Sequence, residues 1–211
     1  MNKLFIDTNE RDWNTNSSLG GKFSSNYSYA LGYYYAANFL VDHAVSSTNN
    51  IKDKLVYPIC FNYRQFIELT LKQLIIYAEK FYKKSEYLGY EYRKATNFVT
   101  DNLMSTHSLE RLLNWLINIL SCVSEYEFEE DKRNLIIDFH NTDPSGQKFR
   151  YPVLRNNDLS FPSQIFMNLE RLKSGVKNIS DYFMGIDGYI DYYDSIADSM
   201  ISSIDPEIQP Y

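Results

Sequence analysis

The 211-residue chain contains little cysteine and no long hydrophobic run. Its two cysteines, Cys60 and Cys122, lie in apolar helical patterns without CxxC spacing, which argues against a disulfide framework and predicts two buried, reduced thiols. The N-terminal sequence MNKLFIDTNERDW lacks the apolar run of a signal peptide, and no window approaches the roughly 18 uncharged apolar residues of a membrane span. We therefore expect neither secretion nor membrane insertion, and a cytoplasmic location.

Basic charge and histidine are also scarce. The chain has 21 Lys and Arg against 27 Asp and Glu, a net charge of −6, which disfavours non-specific duplex binding because that binding needs a basic surface. A local basic patch at a dimer seam would still hold a few phosphates. The three histidines form no HExxH or other close pairing, so we expect no metal site and no cofactor. His43 follows Asp42 near the end of the first predicted helix, where a cation interacts well with the helix dipole.

Apolar and aromatic residues are abundant, at 44% and 16% of the chain, and they predict a folded domain. The longest pattern covers residues 57–84, where Pro58 is expected in the first helical turn because its missing N–H is no loss there. One side of this helix carries residues at steps of three and four, which predicts that they are buried together. They are Ile59, Tyr63, Ile67, Leu71, Leu74 and Ala78.

Four further helices follow from similar patterns. A first helix is predicted from Asn26 to about Val45, with one face made of Ala30, Tyr34, Ala37, Val41 and Ala44. Thr106 or Ser108 caps a helix over 108–123, whose apolar face is Leu109, Leu112, Leu113, Leu116, Leu120 and Val123. The acidic run 125–131 suits the first turn of a helix that continues through 133–140. Pro162 is expected to open a last helix with a heptad-like seam of Ile165, Leu169, Leu172, Val176, Ile179, Phe183, Ile186 and Ile190.

These elements predict an all-α, up-and-down helical bundle, because no strand candidate and no repeat of about 20 to 50 residues is visible. Residues 1–25 form an Asn- and Ser-rich flexible lead-in that Trp13 attaches to the body, residues 26–203 form the helical domain, and residues 204–211 form a tail. Residues 141–160 carry turn chemistry in Asp143-Pro144, Gly146 and Pro152. A loop of this length inside a helical domain suggests a functional role.

Arg133 and His140 provide the first candidate site. Arg133 precedes His140 by seven positions in RNLIIDFH, which is about two helical turns and places both side chains on one face. An imidazole there acts as general base or acid toward an RNA 2′-hydroxyl or leaving oxygen, while the guanidinium holds the phosphate and stabilises its charge. This pairing predicts RNA cleavage that needs no metal.

The rival constellation consists of Arg64, Glu68, Lys72, Asp143 and Arg150. The first three stand four residues apart, so a carboxylate lies between two cations on one helical stripe. In one interpretation they form a buried ion network that ties the long loop to the central helix. In the other, Arg150 and Lys72 bind a phosphate or nucleotide and Tyr151 stacks on its base. His107, in Thr106-His107-Ser108 at a helix start, is expected to hydrogen-bond a neighbouring helix or loop and is a further candidate ligand contact.

The runs YRQFIELTLKQLI at 63–75, THSLERLLNWL at 106–116 and RNLIIDFH at 133–140 together resemble the HEPN superfamily of small helical proteins of prokaryotic defence and toxin systems. In that family an Arg, often followed by a polar residue, precedes a His by four to six intervening residues, and Arg133, Asn134 and His140 match the longest spacing. The resemblance covers about residues 26–183. It implies a bundle of four or more helices, and homodimers that bring two Arg/His pairs together across a cleft.

The resemblance also implies a function. Under the first hypothesis the chain is a metal-independent endoribonuclease, a toxin or defence effector, in which Arg133 contacts the phosphate, His140 does acid–base work and Asn134 orients them. Under the second it is a catalytically inactive HEPN-like module that senses a ligand or scaffolds a partner, its polar residues being structural. A third hypothesis is an adaptor that neutralises a toxin encoded in the same operon, which suits the acidic surface.

Overall fold

The computed structural model describes Ser17 and residues 25–90 and 102–204. Most of the predicted lead-in, including Trp13, lies outside these ranges, as do residues 91–101 and the tail 205–211. The described part contains five α-helices: α1 (Asn26–Val45), α2 (Asn49–Tyr87), α3 (Leu109–Val123), α4 (Glu130–Thr142) and α5 (Leu169–Ile204). Its nearest approach to a sheet is one isolated antiparallel bridge between Val153 and Leu159. The predicted all-α class is confirmed. Within the described ranges, no helix combines the length and apolar character that a membrane crossing requires.

The central helix α2 begins eight residues earlier than predicted, at Asn49 rather than at residue 57. Pro58 therefore lies inside the helix and not in its first turn, which corrects the prediction. The pyrrolidine ring removes one N–H from the helical ladder, and Pro58 is exposed, so water can reach the backbone there. The predicted apolar face of α2 is confirmed, since all six of its residues are buried.

Local sequence sets the ends of α1 and α3. The Ser25 hydroxyl accepts a hydrogen bond from the Ser28 N–H at the start of α1, and the Ser108 hydroxyl does the same for the Arg111 N–H at the start of α3. Both helices match their predicted bounds. The apolar face predicted for α3 is buried throughout.

The last helix begins at Leu169, seven residues after the predicted start at Pro162. Residues 162–168 are irregular, and Ile165, assigned to the seam by its spacing, is 62% exposed. The seam from Leu169 onward is buried except for the half-buried Leu172. Gly185 and Gly188 do not interrupt it, because other residues of the same helix supply its apolar face.

Side-chain pairs show how the helices run. Asn38 of α1 accepts a 2.8 Å hydrogen bond from the Tyr63 hydroxyl, and α1 and α2 are joined by only three residues, which gives an antiparallel hairpin. The α5 helix runs parallel to α2, because Phe66 packs on Phe183 and the later Lys84 pairs with Asp194.

The helix α3 also runs in the direction of α2. Its start lies beside Arg64, which hydrogen-bonds His107, and just past its end Tyr126 stacks on Tyr189 of α5, farther along the bundle. In the part of the chain that the structure describes, α2, α3 and α5 therefore share one direction and α1 runs against them. The helix α4 then runs back toward the start of α3.

Candidate functional site

Buried charge is concentrated in the Arg64 cluster, defined here as the buried Arg64, Glu68, Lys72 and Asp143 together with the exposed His107 that pairs with Glu68. Arg64 is fully buried in α2 and donates three hydrogen bonds. Its Nε contacts the Asp143 carbonyl at 3.0 Å, Nη1 contacts Glu68 Oε2 at 3.0 Å, and Nη2 contacts the His107 carbonyl at 2.7 Å. One guanidinium thus holds three segments together: α2, the residues before α3, and the loop after α4.

Glu68 is the anionic centre of the cluster. Its Oε1 accepts from Lys72 Nζ at 2.9 Å and lies 2.9 Å from His107 Nδ1, while Lys72 Nζ also donates to the Met104 carbonyl at 3.1 Å. Burial acts to raise the pKa of Glu68, but the hydrogen bonds from Lys72 and His107 and the charge of Arg64 outweigh it and lower that pKa. The buried carboxylate is therefore ionised at neutral pH.

His107 is the exposed member of the Arg64 cluster, with 59% of its side chain accessible. Because the ionised Glu68 can only accept hydrogen bonds, the neutral imidazole carries its proton on Nδ1, and Nε2 holds the free lone pair. A buried carboxylate that fixes the tautomer and the ring orientation of an imidazole is an arrangement found in both catalytic and ligand-binding histidines. Sequence alone did not indicate this pairing with Glu68.

The loop after α4 is folded around Asp143 and Gly146. Asp143 Oδ1 accepts from the backbone N–H groups of Gln147 and Lys148 at 2.9 and 3.1 Å, which closes the turn. Gly146 has φ +74°, and a Cβ built there would stand 2.7 Å from Arg64 Nη1. A glycine is therefore needed for both the backbone conformation and the space above the guanidinium. The sequence showed this residue only as a turn former.

Arg150 and Tyr151 form an exposed basic and aromatic site at the end of this loop. Arg150 Nε donates to the Gly146 carbonyl at 2.8 Å, and its guanidinium lies 5.8 Å from the Phe61 ring centroid and 5.4 Å from that of Tyr151. The predicted partner Lys72 is not at this surface, since it is buried and its ammonium bonds Glu68.

The predicted Arg133/His140 pair lies on α4, and its two members have different environments. Arg133 and Asn134 are exposed, whereas the His140 side chain is only 15% accessible. His140 Nε2 lies 3.4 Å from Glu110 Oε2 of α3, and Nδ1 is buried with no hydrogen-bond partner among the described residues. Glu110 was missed because a glutamate in the first turn of a helix is ordinary, and nothing in sequence links it to α4.

In the described ranges, no group of three or more His, Cys, Asp or Glu side chains is arranged to hold a metal ion. The two cysteines are buried and free, as predicted, and burial raises the pKa of the Cys60 thiol to about 12. No protein-family model, curated protein or solved structure matches the chain.

Proposed function

We propose that the chain is a HEPN-like helical module without catalytic activity that binds a phosphate-bearing ligand at the surface formed by Arg150 and Tyr151. The observation that carries the proposal is the placement of the Arg150 guanidinium, which Gly146 and two aromatic rings hold in an exposed position. A planar guanidinium suits a phosphate, and the half-exposed Tyr151 ring suits stacking on a base. In this proposal the Arg64 cluster is the buried support of the loop.

The environment of His140 favours binding over catalysis. A general base must bring one nitrogen within hydrogen-bond reach of the proton that it removes. In His140, Nε2 faces the carboxylate of Glu110 and Nδ1 is buried, so neither nitrogen is open to a ribose hydroxyl. We accordingly assign the chain a sensor or scaffold role in a cytoplasmic defence or toxin–antitoxin system.

Isothermal titration of the purified full chain with adenosine monophosphate tests the binding proposal. We expect Arg150→Ala to weaken binding by about tenfold or more, because a hydrogen bond to a charged group contributes about 1.5 to 3 kcal/mol. Arg150→Lys should restore binding only in part, since lysine lacks the planar fork.

Arg155→Ala is the matched control, because Arg155 is an exposed arginine of the same loop. Adenosine, which lacks the phosphate, should bind much more weakly than the monophosphate. Equal affinity of wild type and Arg150→Ala, or no binding by wild type, would overturn the proposal.

A metal-independent endoribonuclease is the second candidate, and the contact between His140 and Glu110 is the observation that favours it. A carboxylate beside a histidine also orients catalytic imidazoles, and Arg133 is exposed on the same helix. Access of RNA to Nε2 would require Glu110 to move. A homodimer that opposes two such pairs across a cleft belongs to this candidate, whereas a partner protein from the same operon belongs to the adaptor hypothesis.

Incubating the protein with total RNA, with and without chelator, separates the two candidates. The binding module leaves RNA intact in both conditions. Chelator-resistant cleavage that His140→Ala abolishes and His43→Ala retains would instead establish the nuclease. His43 is a suitable control because it is an exposed histidine at the end of α1.

A further inference from the structure

A cavity of about 390 Å³ is bounded by the N-terminal part of α2 and the irregular chain between α4 and α5. Its volume falls in the range of about 300 to 1,000 Å³ that is typical of small-molecule sites. Val56 and Cys60 of α2 form one wall, and residues 161–167 form another. Cys60 Sγ lies 3.6 Å from Met167 Sδ, so the two walls are in contact at these sulfur atoms.

Three aromatic rings line this cavity next to one another. The ring centroid of Phe161 lies 6.3 Å from that of Tyr57 and 5.5 Å from that of the buried Phe149. The loop holds Phe161 in place, because the preceding Ser160 donates its N–H to the Pro152 carbonyl at 3.0 Å. The aromatic wall is therefore built from α2 and two separate parts of the irregular chain, each fixed by packing or by a backbone contact.

Asp53 carries the only charge among the described residues that line the cavity. It stands one turn before Tyr57 on α2, so its carboxylate and the tyrosine ring are neighbours on the helix. Within the described ranges Asp53 has no ion pair and no side-chain hydrogen bond, and Lys52 lines the adjoining cavity instead. An unpaired carboxylate beside aromatic rings favours a cation, because the faces of those rings also carry negative potential.

We propose that this cavity binds a small organic ammonium ion with an aromatic or apolar body. The ammonium group donates to the Asp53 carboxylate and lies against the rings of Tyr57 and Phe161, while Phe149 and Met167 contact the apolar body. A neutral ligand without a donor would leave the carboxylate unpaired, and an anion would be repelled by it. The chemistry of the lining thus selects the charge of the ligand as well as its apolar character.

This site is distinct from the surface formed by Arg150 and Tyr151, since neither residue lines the cavity. The Arg150 guanidinium lies over Phe61, which is also outside the lining. The inference therefore does not rest on the proposed binding of a phosphate, and either one stands if the other fails.

Isothermal titration of the full chain with phenethylammonium and with phenethyl alcohol tests the inference, because the two ligands have nearly the same shape and differ in charge. We expect the ammonium ion to bind about tenfold more tightly than the alcohol, since its charge adds a charge-assisted hydrogen bond and a cation–π contact. Asp53→Asn should remove most of this preference and leave the affinity for the alcohol unchanged. Glu86→Gln is the matched control, because Glu86 is an exposed carboxylate near the other end of α2, and it should behave as wild type.

The methyl resonances of the methionines locate the bound ligand in NMR spectra of the wild-type chain. Met167 lines the cavity, whereas Met184 is exposed on α5 and lies outside the lining. Phenethylammonium should shift the methyl resonance of Met167 and leave that of Met184 unchanged. This measurement needs no variant, so it decides the location even if Asp53→Asn does not fold.

Several results would overturn the inference. Equal affinities of wild type for the ammonium ion and the alcohol would show that the cavity does not recognise charge. Ammonium binding that Asp53→Asn retains, or that leaves the Met167 resonance in place, would put the cation elsewhere on the chain. Failure of wild type to bind either ligand would also reject the site, and it would leave the adenosine monophosphate titration of Arg150→Ala to be judged separately.

Discussion

At the residue scale, the guanidinium of Arg64 is the point on which the described loop structure depends. It is fully buried, and its three hydrogen bonds end on α2, on the segment before α3 and on the loop after α4. Removing one partner from such a buried pair typically costs about 3 to 5 kcal/mol, because the remaining charge loses its compensation. The exposed residues His107 and Arg150 take their positions from this buried group.

Gly146→Ala tests the close contact between the loop and Arg64. The added Cβ would stand 2.7 Å from Nη1, and the backbone φ of +74° is unfavourable for any L side chain. We expect the free energy of unfolding to fall by about 2 to 4 kcal/mol, measured by urea denaturation, because strain and displacement of a buried cation add together.

Gly89→Ala is the matched control. Gly89 has nearly the same φ, +72°, but a Cβ there meets nothing within 4 Å among the residues that the structure describes. The free energy of unfolding of Gly89→Ala should therefore fall by only about 1 kcal/mol, the cost of the backbone conformation alone. Similar losses in the two variants would show that the contact with Arg64 contributes nothing.

The part of this site that lies within one helix could be predicted from the sequence. Because α-helical geometry fixes which side chains are neighbours, the four-residue spacing of Arg64, Glu68 and Lys72 predicted their ladder. The contact between His140 and Glu110 joins two helices, and the spacing within α4 alone carries no information about what α3 presents to it.

At the element scale, α2 is the longest helix and carries an internal proline. Residues 49–56 are exposed or half-buried, so their apolar pattern is weak, and the sequence instead indicates a helix start at Pro58. Similarly, the spacing of Ile165 and the position of Pro162 predict that α5 begins earlier, in a segment that is in fact irregular. Periodicity located the buried parts of both helices and misplaced their ends, because helix ends depend on caps and on tertiary contacts.

Pro58→Ala should stabilise the protein. In a helix interior, the missing N–H of proline and its ring clash together destabilise the folded state by about 3 kcal/mol, and alanine removes both. Proline offsets about 0.4 to 1 kcal/mol of this cost because it restricts the unfolded chain. We expect a net gain of about 2 kcal/mol, seen as a Tm increase of about 4 to 8 °C in thermal unfolding followed by circular dichroism.

Pro162→Ala provides the comparison, since Pro162 is exposed in an irregular segment and interrupts no helix. Its Tm should stay the same or fall slightly. A Tm of Pro58→Ala at or below that of Pro162→Ala would mean that α2 has already adapted to the ring.

At the scale of the whole molecule, two ionic groups fasten elements that are distant in sequence. The Arg64 cluster joins α2 to the segments before α3 and after α4. Farther along α2, Lys84 Nζ lies 2.8 Å from Asp194 and 2.6 Å from Asp198 of α5. Burial acts to lower the pKa of Lys84, but these two aspartates outweigh it and raise that pKa. The ionic contacts thus join α2 to two irregular segments at one place and to α5 at the other.

The acid stability of the whole chain should depend on Glu68. Its pKa is lower in the folded protein than in the unfolded chain, where a glutamate titrates near 4.3. Its stabilising contribution is therefore complete above about pH 5 and is lost as pH falls through the lowered folded value. Glu68→Gln resembles the protonated state, so it should cost about 3 to 5 kcal/mol at pH 7 and progressively less below about pH 4.

Glu79→Gln is the matched variant, because Glu79 pairs with Lys83 four residues later on the same helix, where the lysine side chain is 69% exposed. The Glu79 side chain is 15% accessible, but water reaches the lysine side of this i,i+4 pair. Such a pair contributes about 0.5 kcal/mol, so its loss should hardly change with pH. Urea denaturation of the three proteins between about pH 3 and pH 7 measures the difference. The free energies of unfolding of wild type and Glu68→Gln could instead differ by the same amount at every pH. That result would mean that the shape of the Glu68 side chain, and not its charge, holds the segments together.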